Sequence, residues 1–410
     1  MTTVFIISEY NPFHNGHAWQ IEKIREELRP DAIVSIMSGN FLQRGTPAIL
    51  DKFRRADLAV LGGCDLVVEL PAVYAVSSAE FFATGGVKIA QGLDPKGILS
   101  FGSESGDALK IITAARLLKE ENDALDREIR EELDKGYSYP KARLEAFRRI
   151  TGDPHLTEVL QSPNNILAVE YVRAALETGS TLSFHTVKRK GLGYHEDAAG
   201  TLDPSVQLPS ATAIRNALRL GDRRYPEKAV PESTRDLFLN YLDEAMLGKG
   251  DLLKELLSYR LHLQPEALRR LPEAGDGLAE RILSHRGELS RLSLQEFSLK
   301  VKTRRFTYTR IRRLLIHLAL GFDELPYADL RRETPEYARI LALNPAGQKF
   351  LARTRNTRTL KLIQSAREIS GSAAYRPDQN ASYLYSLLNP AYPANADYTH
   401  QLKVMKPSAE

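Results

Sequence analysis

Thr3-Val4-Phe5-Ile6-Ile7-Ser8 runs without interruption into Glu9-Tyr10-Asn11-Pro12-Phe13-His14-Asn15-Gly16-His17. A short apolar run, a turn and then the helical spacing of Ile21, Ile24 and Leu28 before Pro30 place two histidines at the carboxyl edge of a first strand. Ligands of open α/β sheets bind at that edge. His14 and His17 lie three apart across a helix start, so both rings can face one site. Gly16 removes a side chain that would keep a phosphate from the backbone, and the helix N-terminus adds N–H donors and partial positive charge. With nine His and 26 Gly in 410 residues, roughly 0.01 chance matches to His-x-Gly-His are expected. A second reading has the histidines capping the helix and satisfying each other, or binding a metal; no acidic or Cys cluster accompanies them in sequence.

Outward from this stretch, Ala32–Met37, Leu66–Glu69, Ile98–Phe101 and Thr181–Val187 read as further buried parallel strands. Lys52–Leu61, Ser78–Gln91 and Asn165–Glu177 supply helices between them, and another helix starts at Ser210, a good N-cap. The expected fold is α/β, a doubly wound parallel sheet ending near Arg224. From Pro226 onward helical periodicity dominates, as in Thr234–Leu247, Leu252–Leu257 and Tyr308–Leu320, so residues 1–225 and 226–410 are expected to form a catalytic and a helical domain.

Composition narrows the class. The chain is 43% hydrophobic and 26% charged, the balance of a folded protein and not of a disordered one. Its one cysteine, Cys64, can close no intrachain disulfide, and no apolar run is long enough to span a bilayer, so a reducing cytoplasm is the expected compartment, with no membrane partner. Residues 1–225 hold 27 basic and 30 acidic side chains, residues 226–410 hold 29 and 22. The positive excess of the second half points to a polyanion such as nucleic acid.

Ser38-Gly39-Asn40-Phe41-Leu42-Gln43-Arg44-Gly45-Thr46-Pro47 follows the second strand and is polar and glycine-punctuated, which reads as an active-site loop carrying Gly39, Asn40, Gln43 and Arg44. The histidine run resembles the nucleotide-binding motif of the HIGH-type nucleotidyltransferase superfamily, whose members break ATP between its α- and β-phosphates. The whole stretch from Glu9 to Lys52 resembles one family within it, the bacterial tRNA(Met) cytidine acetate ligases. Phe101-Gly102-Ser103-Glu104, Ser162-Pro163-Asn164-Asn165-Ile166-Leu167 and Arg189-Lys190-Gly191-Leu192-Gly193-Tyr194-His195 extend that resemblance. Ser210-Ala211-Thr212-Ala213-Ile214-Arg215 resembles a late Ser-Ser-Thr-x-x-Arg motif, with Ala211 departing from the usual second Ser.

The resemblance implies that ATP is held by Ile7, Ser8, Glu9, Tyr10, Asn11, Pro12, Phe13, His14, Asn15, Gly16, His17 and Gln20, with Gly102, one of Asn164 and Asn165, Arg189, Ser210, Thr212 and Arg215. His14 and His17 are the catalytic pair, magnesium is expected with the ATP, and no protein ligand for it is named. The implied reaction joins acetate to ATP, releases pyrophosphate, and passes the acetyl group from acetyl-adenylate to the wobble cytidine of elongator tRNA(Met), without acetyl-CoA. An adenylyltransferase of cofactor synthesis and a non-catalytic tRNA-binding protein are the rival readings.

In the second half, residues 297–322 contain no acid and carry Lys302, Arg304, Arg305, Arg310, Arg312 and Arg313 among Phe306 and Tyr308. Unscreened charge with aromatics fits phosphate contact and base stacking, so these six are expected to bind tRNA. A second acid-free run, residues 337–367, with Arg339, Lys349, Arg353, Arg355, Arg358, Lys361 and Arg367, is the next choice.

Overall fold

The computed structural model describes residues 2–120, 122–189, 208–245 and 251–405. Seven strands make one sheet: β1 (Thr3–Ser8), β2 (Ala32–Ser38), β3 (Leu66–Leu70), β4 (Ile98–Ser103), β5 (Ser183–Lys188), β6 (Tyr337–Leu343) and β7 (Lys361–Ile363). Their spatial order is β5-β4-β1-β2-β3-β6-β7. The first five pair in parallel, as the expected doubly wound topology requires. Every residue of β1, β2 and β3 is buried, because helices cover both faces and continuous apolar runs satisfy them.

Six helices matter to the sheet and its edge, and all but Tyr139–Thr151 fall where the sequence reading puts them. They are α1 (Asn15–Leu28), α2 (Lys52–Leu61), α3 (Ala79–Leu93), α4 (Tyr139–Thr151), α5 (Pro163–Thr178) and α6 (Ala211–Arg219). Asp51 caps α2 by accepting from the N–H groups of Phe53 and Arg54, and Ser210 caps α6 by accepting from Ala213. In the second half α7 (Tyr308–Ala319) follows Thr307, whose hydroxyl accepts from Arg310 N–H.

The second half is mainly helical, as expected, and also contributes two strands to the sheet. β6 returns from it to pair antiparallel with β3, matching Leu66 with Leu343 and Val67 with Ala342, and β7 pairs with β6. One large buried cluster spans both halves, with Val34 and Val68 of the sheet beside Leu257, Phe297 and Leu314 of the helical region, and a smaller one gathers Tyr337, Ile363, Ala366, Ile369 and Tyr375. Tyr-Ala-Arg-Ile-Leu-Ala-Leu hides as a strand because Ala, Arg and Leu favour helix and because Arg339 reads as surface charge. The flanking Pro335 and the Asn344-Pro345 pair were the available signal.

Candidate active site at the carboxyl edge of the sheet

β1 delivers the chain to a turn in which Tyr10 takes φ +46 and the Asn11–Pro12 peptide is cis. The side chains of Tyr10 and Phe13 point into the core, 2% and 1% exposed, with the Tyr10 hydroxyl 3.8 Å from Cys64 Sγ. Ser8 is bonded to Ser35 at 2.9 Å. These members of the implied ATP set, with Ile7, can meet a ligand only through their backbone. Gln20 is half-buried on α1, and Asn15 donates to the Lys228 carbonyl at 3.0 Å.

The histidines cap the helix and bond to each other's turn. His14 is the N-cap of α1: its Nδ1 accepts from Gly16 N–H at 3.0 Å, and His17 Nδ1 accepts from His14 N–H at 3.2 Å, a reciprocal capping box. The rings stack with centroids 3.7 Å apart. A ring whose Nδ1 accepts carries its proton on Nε2 when neutral, so each histidine keeps one outward N–H donor. Burial, with the charges of Arg189 and Arg215 nearby, pushes His14 down to about 3, and burial together with His14 pushes His17 well below its ordinary value. At neutral pH the pair is therefore two uncharged donors. Gly16 serves this arrangement directly, since a Cβ there would sit 2.9 Å from the His14 ring.

Arg215 on α6 donates to the Asn11 carbonyl at 2.7 Å and to Thr212 Oγ1 at 3.1 Å, which ties the late motif to the turn after β1. Ser210 is engaged as the cap. Arg189, just past β5, donates to Asn164 Oδ1 at 3.4 Å and lies over Gly102, where a Cβ would only graze it at 3.4 Å. The Asn pair separates into two roles. Asn165 is 3% exposed and its Oδ1 accepts from the N–H groups of Glu104 and Ser105, fixing the turn after β4, whereas Asn164 stands beside Arg189. Residues 190–195 of the Arg189 motif lie outside the described residues.

Sequence reasoning passed over three residues that shape the site. Glu104 accepts from Asn164 Nδ2 at 2.7 Å and Asn165 N–H at 2.9 Å, locking the N-terminus of α5 to β4. Arg55, fully buried, gathers the carbonyls of Glu9, Ser38, Gly39 and Leu50, which pins the ends of β1 and β2 together. Lys52 is ion-paired to Glu69 at 2.8 Å and Asp397 at 2.7 Å, and Arg339 lies against both carboxylates at 3.3 and 3.5 Å. A buried, fully paired cation leaves no sequence signal, because its partners are distant in the chain.

The loop after β2 divides. Asn40 is structural: its Oδ1 accepts from Lys52 N–H. Gly39 is required because a Cβ would lie 2.5 Å from Glu69 Oε1. Gln43 N–H donates to Glu9 Oε1 at 2.7 Å, and Gln43 and Arg44 face a cleft. Gly45, at φ +70, lies under α7, where a Cβ would be 2.4 Å from the Arg312 backbone.

The basic tract is not an unscreened surface. Arg312 is 7% exposed with Nε toward the Gly45 carbonyl at 3.3 Å, Arg313 pairs with Glu273 at 3.5 Å, and Arg310 and Arg305 pair with Asp276 at 3.2 and 3.5 Å. Arg304 lies over the Tyr137 ring at 3.9 Å, and Lys302 ends the helix Leu294–Val301. The acids come from residues 273–276, a segment that the acid-free window excluded. In the second tract Arg339 is fully buried.

A doubly wound sheet with paired histidines capping the first crossover helix and two arginines over the same edge defines a nucleotidyltransferase of the HIGH class, and the HIGH Nucleotidyl Transferase family model matches residues 1–400. The tRNA(Met) cytidine acetate ligase of Clostridium tetani is 37% identical over 399 residues, covering 95% of this chain and 96% of that one. Its counterpart in Clostridium perfringens strain SM101 is 33% identical over 405 residues, 97% and 98% of the two chains. The chain belongs to the tRNA(Met) cytidine acetate ligase family. Apo TmcAL of Thermotoga maritima superposes with a TM-score of 0.88 at 30% identity over 99% of this chain and 100% of that one. The same protein bound with alpha-thio ATP gives 0.85. No helix among the described residues is long and apolar enough to cross a membrane.

Proposed function

We propose that this chain activates acetate with ATP and transfers the acetyl group to the wobble cytidine of elongator tRNA(Met), giving 4-acetylcytidine, AMP and pyrophosphate. The observation that carries the reading is the His14–His17 pair, held by its own capping box with both Nε2 donors outward beside Arg189 and Arg215. As an acetate oxygen bonds to the α-phosphorus and the bond to the β-phosphate oxygen breaks, negative charge grows on the phosphate oxygens. Neutral N–H donors already in place strengthen toward that charge without reorganising, and the arginines take up charge on the departing pyrophosphate. The cytidine N4 amine then attacks the acetyl carbonyl, AMP leaves, and N4 gives up its proton. Acetyl-CoA has no part in this sequence.

Asn164 is the member of the Asn pair proposed to contact ATP, since Asn165 is committed to the backbone. Gly102 keeps open a space that the protein itself would let a side chain enter. Among the described residues no group of three or more His, Cys, Asp or Glu is placed to hold a metal ion. Magnesium is proposed to accompany the ATP on its phosphate oxygens. The helical region is proposed to receive the tRNA, with Lys302, Arg304 and Arg305 at its rim.

Pyrophosphate release measured with ATP alone, with acetate, and with acetate and tRNA tests the proposal. Release that requires acetate, and an acetylated tRNA only when all three are present, is the expected pattern. Release without acetate, or with a phosphorylated small molecule in its place, would replace the ligase by an adenylyltransferase.

A further inference from the structure

A cavity of about 970 Å³ opens between the α/β body and the helical region. Its walls come from the start of α3, α4, the first turns of α5, the 272–276 segment and α7, and Gln43 and Arg44 of the active-site loop reach into it. It adjoins the nucleotide site on two sides: Ile166 and Leu167 of its wall follow Asn164, and Gln43 is bonded to Glu9. Next in sequence to its lining residue Arg305, Arg304 from the helical region lies over the ring of Tyr137, two residues before the lining Tyr139.

The lining is mixed in a particular way. Seven arginines face four carboxylates, a net positive balance in an enclosed space. Between them lies an apolar floor of Leu144, Leu160, Ile166 and Leu167, and at its edge the Tyr139 ring stands 50% exposed. Arg143 and Arg173 hold Glu170 between them, and Arg331 holds Glu273, so these guanidinium groups are fixed in the wall. Guanidinium groups around an apolar floor with one exposed ring suit flat bases joined by phosphates. A duplex, about 20 Å across, is too wide for this cavity and hides its base faces, so the fitting occupant is a short single strand.

We propose that this cleft binds the unpaired anticodon nucleotides, with Tyr139 stacking on a base and the arginines on its flanking phosphates, so that the wobble cytidine passes Gln43 and Arg44 toward the adenylate. This rests on the reaction proposed above. It also changes the part assigned to Arg310 and Arg313, from an exposed basic face to the wall of a pocket.

The test uses the full chain with Tyr139→Ala and Tyr139→Phe. Binding of a short anticodon stem–loop RNA is measured by fluorescence anisotropy beside a fully paired duplex of equal length, and acetate-dependent pyrophosphate release is measured without RNA. Tyr139→Ala is expected to weaken stem–loop binding about tenfold, since stacking on one base is worth roughly 1–3 kcal/mol. Tyr139→Phe should restore binding, duplex binding should not change, and pyrophosphate release should stay at the wild-type rate. Wild-type stem–loop affinity in Tyr139→Ala overturns the proposal, as does an equal loss for stem–loop and duplex. Absence of acetate-dependent release in the wild-type protein would instead overturn the proposed reaction, and the binding comparison would still decide the cleft.

Discussion

Two polar sites in this molecule treat charge in opposite ways. At the end of β1, His14 and His17 are driven neutral, and their geometry comes from hydrogen bonds to the backbone. Behind the loop that follows β2, Lys52, Glu69, Arg339 and Asp397 are just as buried, and Lys52 and both carboxylates of Glu69 and Asp397 are held by opposite charges. The first arrangement uses only Nδ1 of each ring and leaves Nε2 as the donor proposed above to meet the phosphates. The second spends Lys52 and both carboxylates on one another and on Arg339 inside the protein. Burial alone therefore does not separate a reactive group from a structural one; what separates them is whether the partners use up the group's bonding capacity.

The sharpest break of that comparison is Arg339→Met. It leaves Glu69 and Asp397 short of a cation in the interior, and a loss of about 3–5 kcal/mol of unfolding free energy is expected in urea titrations. A variant as stable as the wild type would show that Lys52 alone balances the cluster. His14→Asn and His17→Asn should behave in the reverse sense. At position 14 asparagine can still cap α1, so His14→Asn should change stability little, while acetate-dependent pyrophosphate release falls roughly 100-fold in either variant, about 3 kcal/mol. Wild-type turnover in both would make the pair purely a cap.

Arg189→Ala is a smaller test. Among the described residues its charge lies beside Asn164 and in no ion pair with a carboxylate, so calorimetry should record ATP binding about tenfold weaker, roughly 1.4 kcal/mol, with unfolding unchanged. The smallest effect is one of pH. His14 has a folded value of about 3 against 6.5 unfolded, so its contribution to stability is complete above 6.5 and is lost as pH falls toward 3. Stability of the wild type should drop by under about 1 kcal/mol from this group by pH 6, and His14→Asn should lack that increment. An identical slope in both proteins would place the proton elsewhere.

The same contrast explains what could be read from the sequence. The strand, turn and histidine cap of residues 3–17 are local: the groups that shape them lie within a few positions, so the spelling shows both fold and chemistry. Lys52 and Arg312 could not be read that way. Lys52 looks like the first residue of a surface helix, and its partner Asp397 lies far down the chain. Arg312 looks like one charge among many, and only the fold places it against Gly45. The acids that screen Arg310 and Arg313 come from outside the tract. β6 was hidden for the same reason, since a strand with arginine at its centre makes sense only beside Glu69.

The antiparallel pairing of β3 with β6 also sets an order of events during synthesis. β3 ends at Leu70 and its neighbour begins at Tyr337, so at about 5–20 residues per second the ribosome adds the intervening roughly 270 residues over tens of seconds. Throughout that interval the Leu-Val-Val-Glu-Leu edge has no strand beside it, and Glu69 has no arginine. An open apolar edge is a template for other chains. Fragments released at about residue 330 are thus expected to aggregate in pelleting assays where the full chain remains in solution, and the last seventy residues act as the seam that closes the sheet.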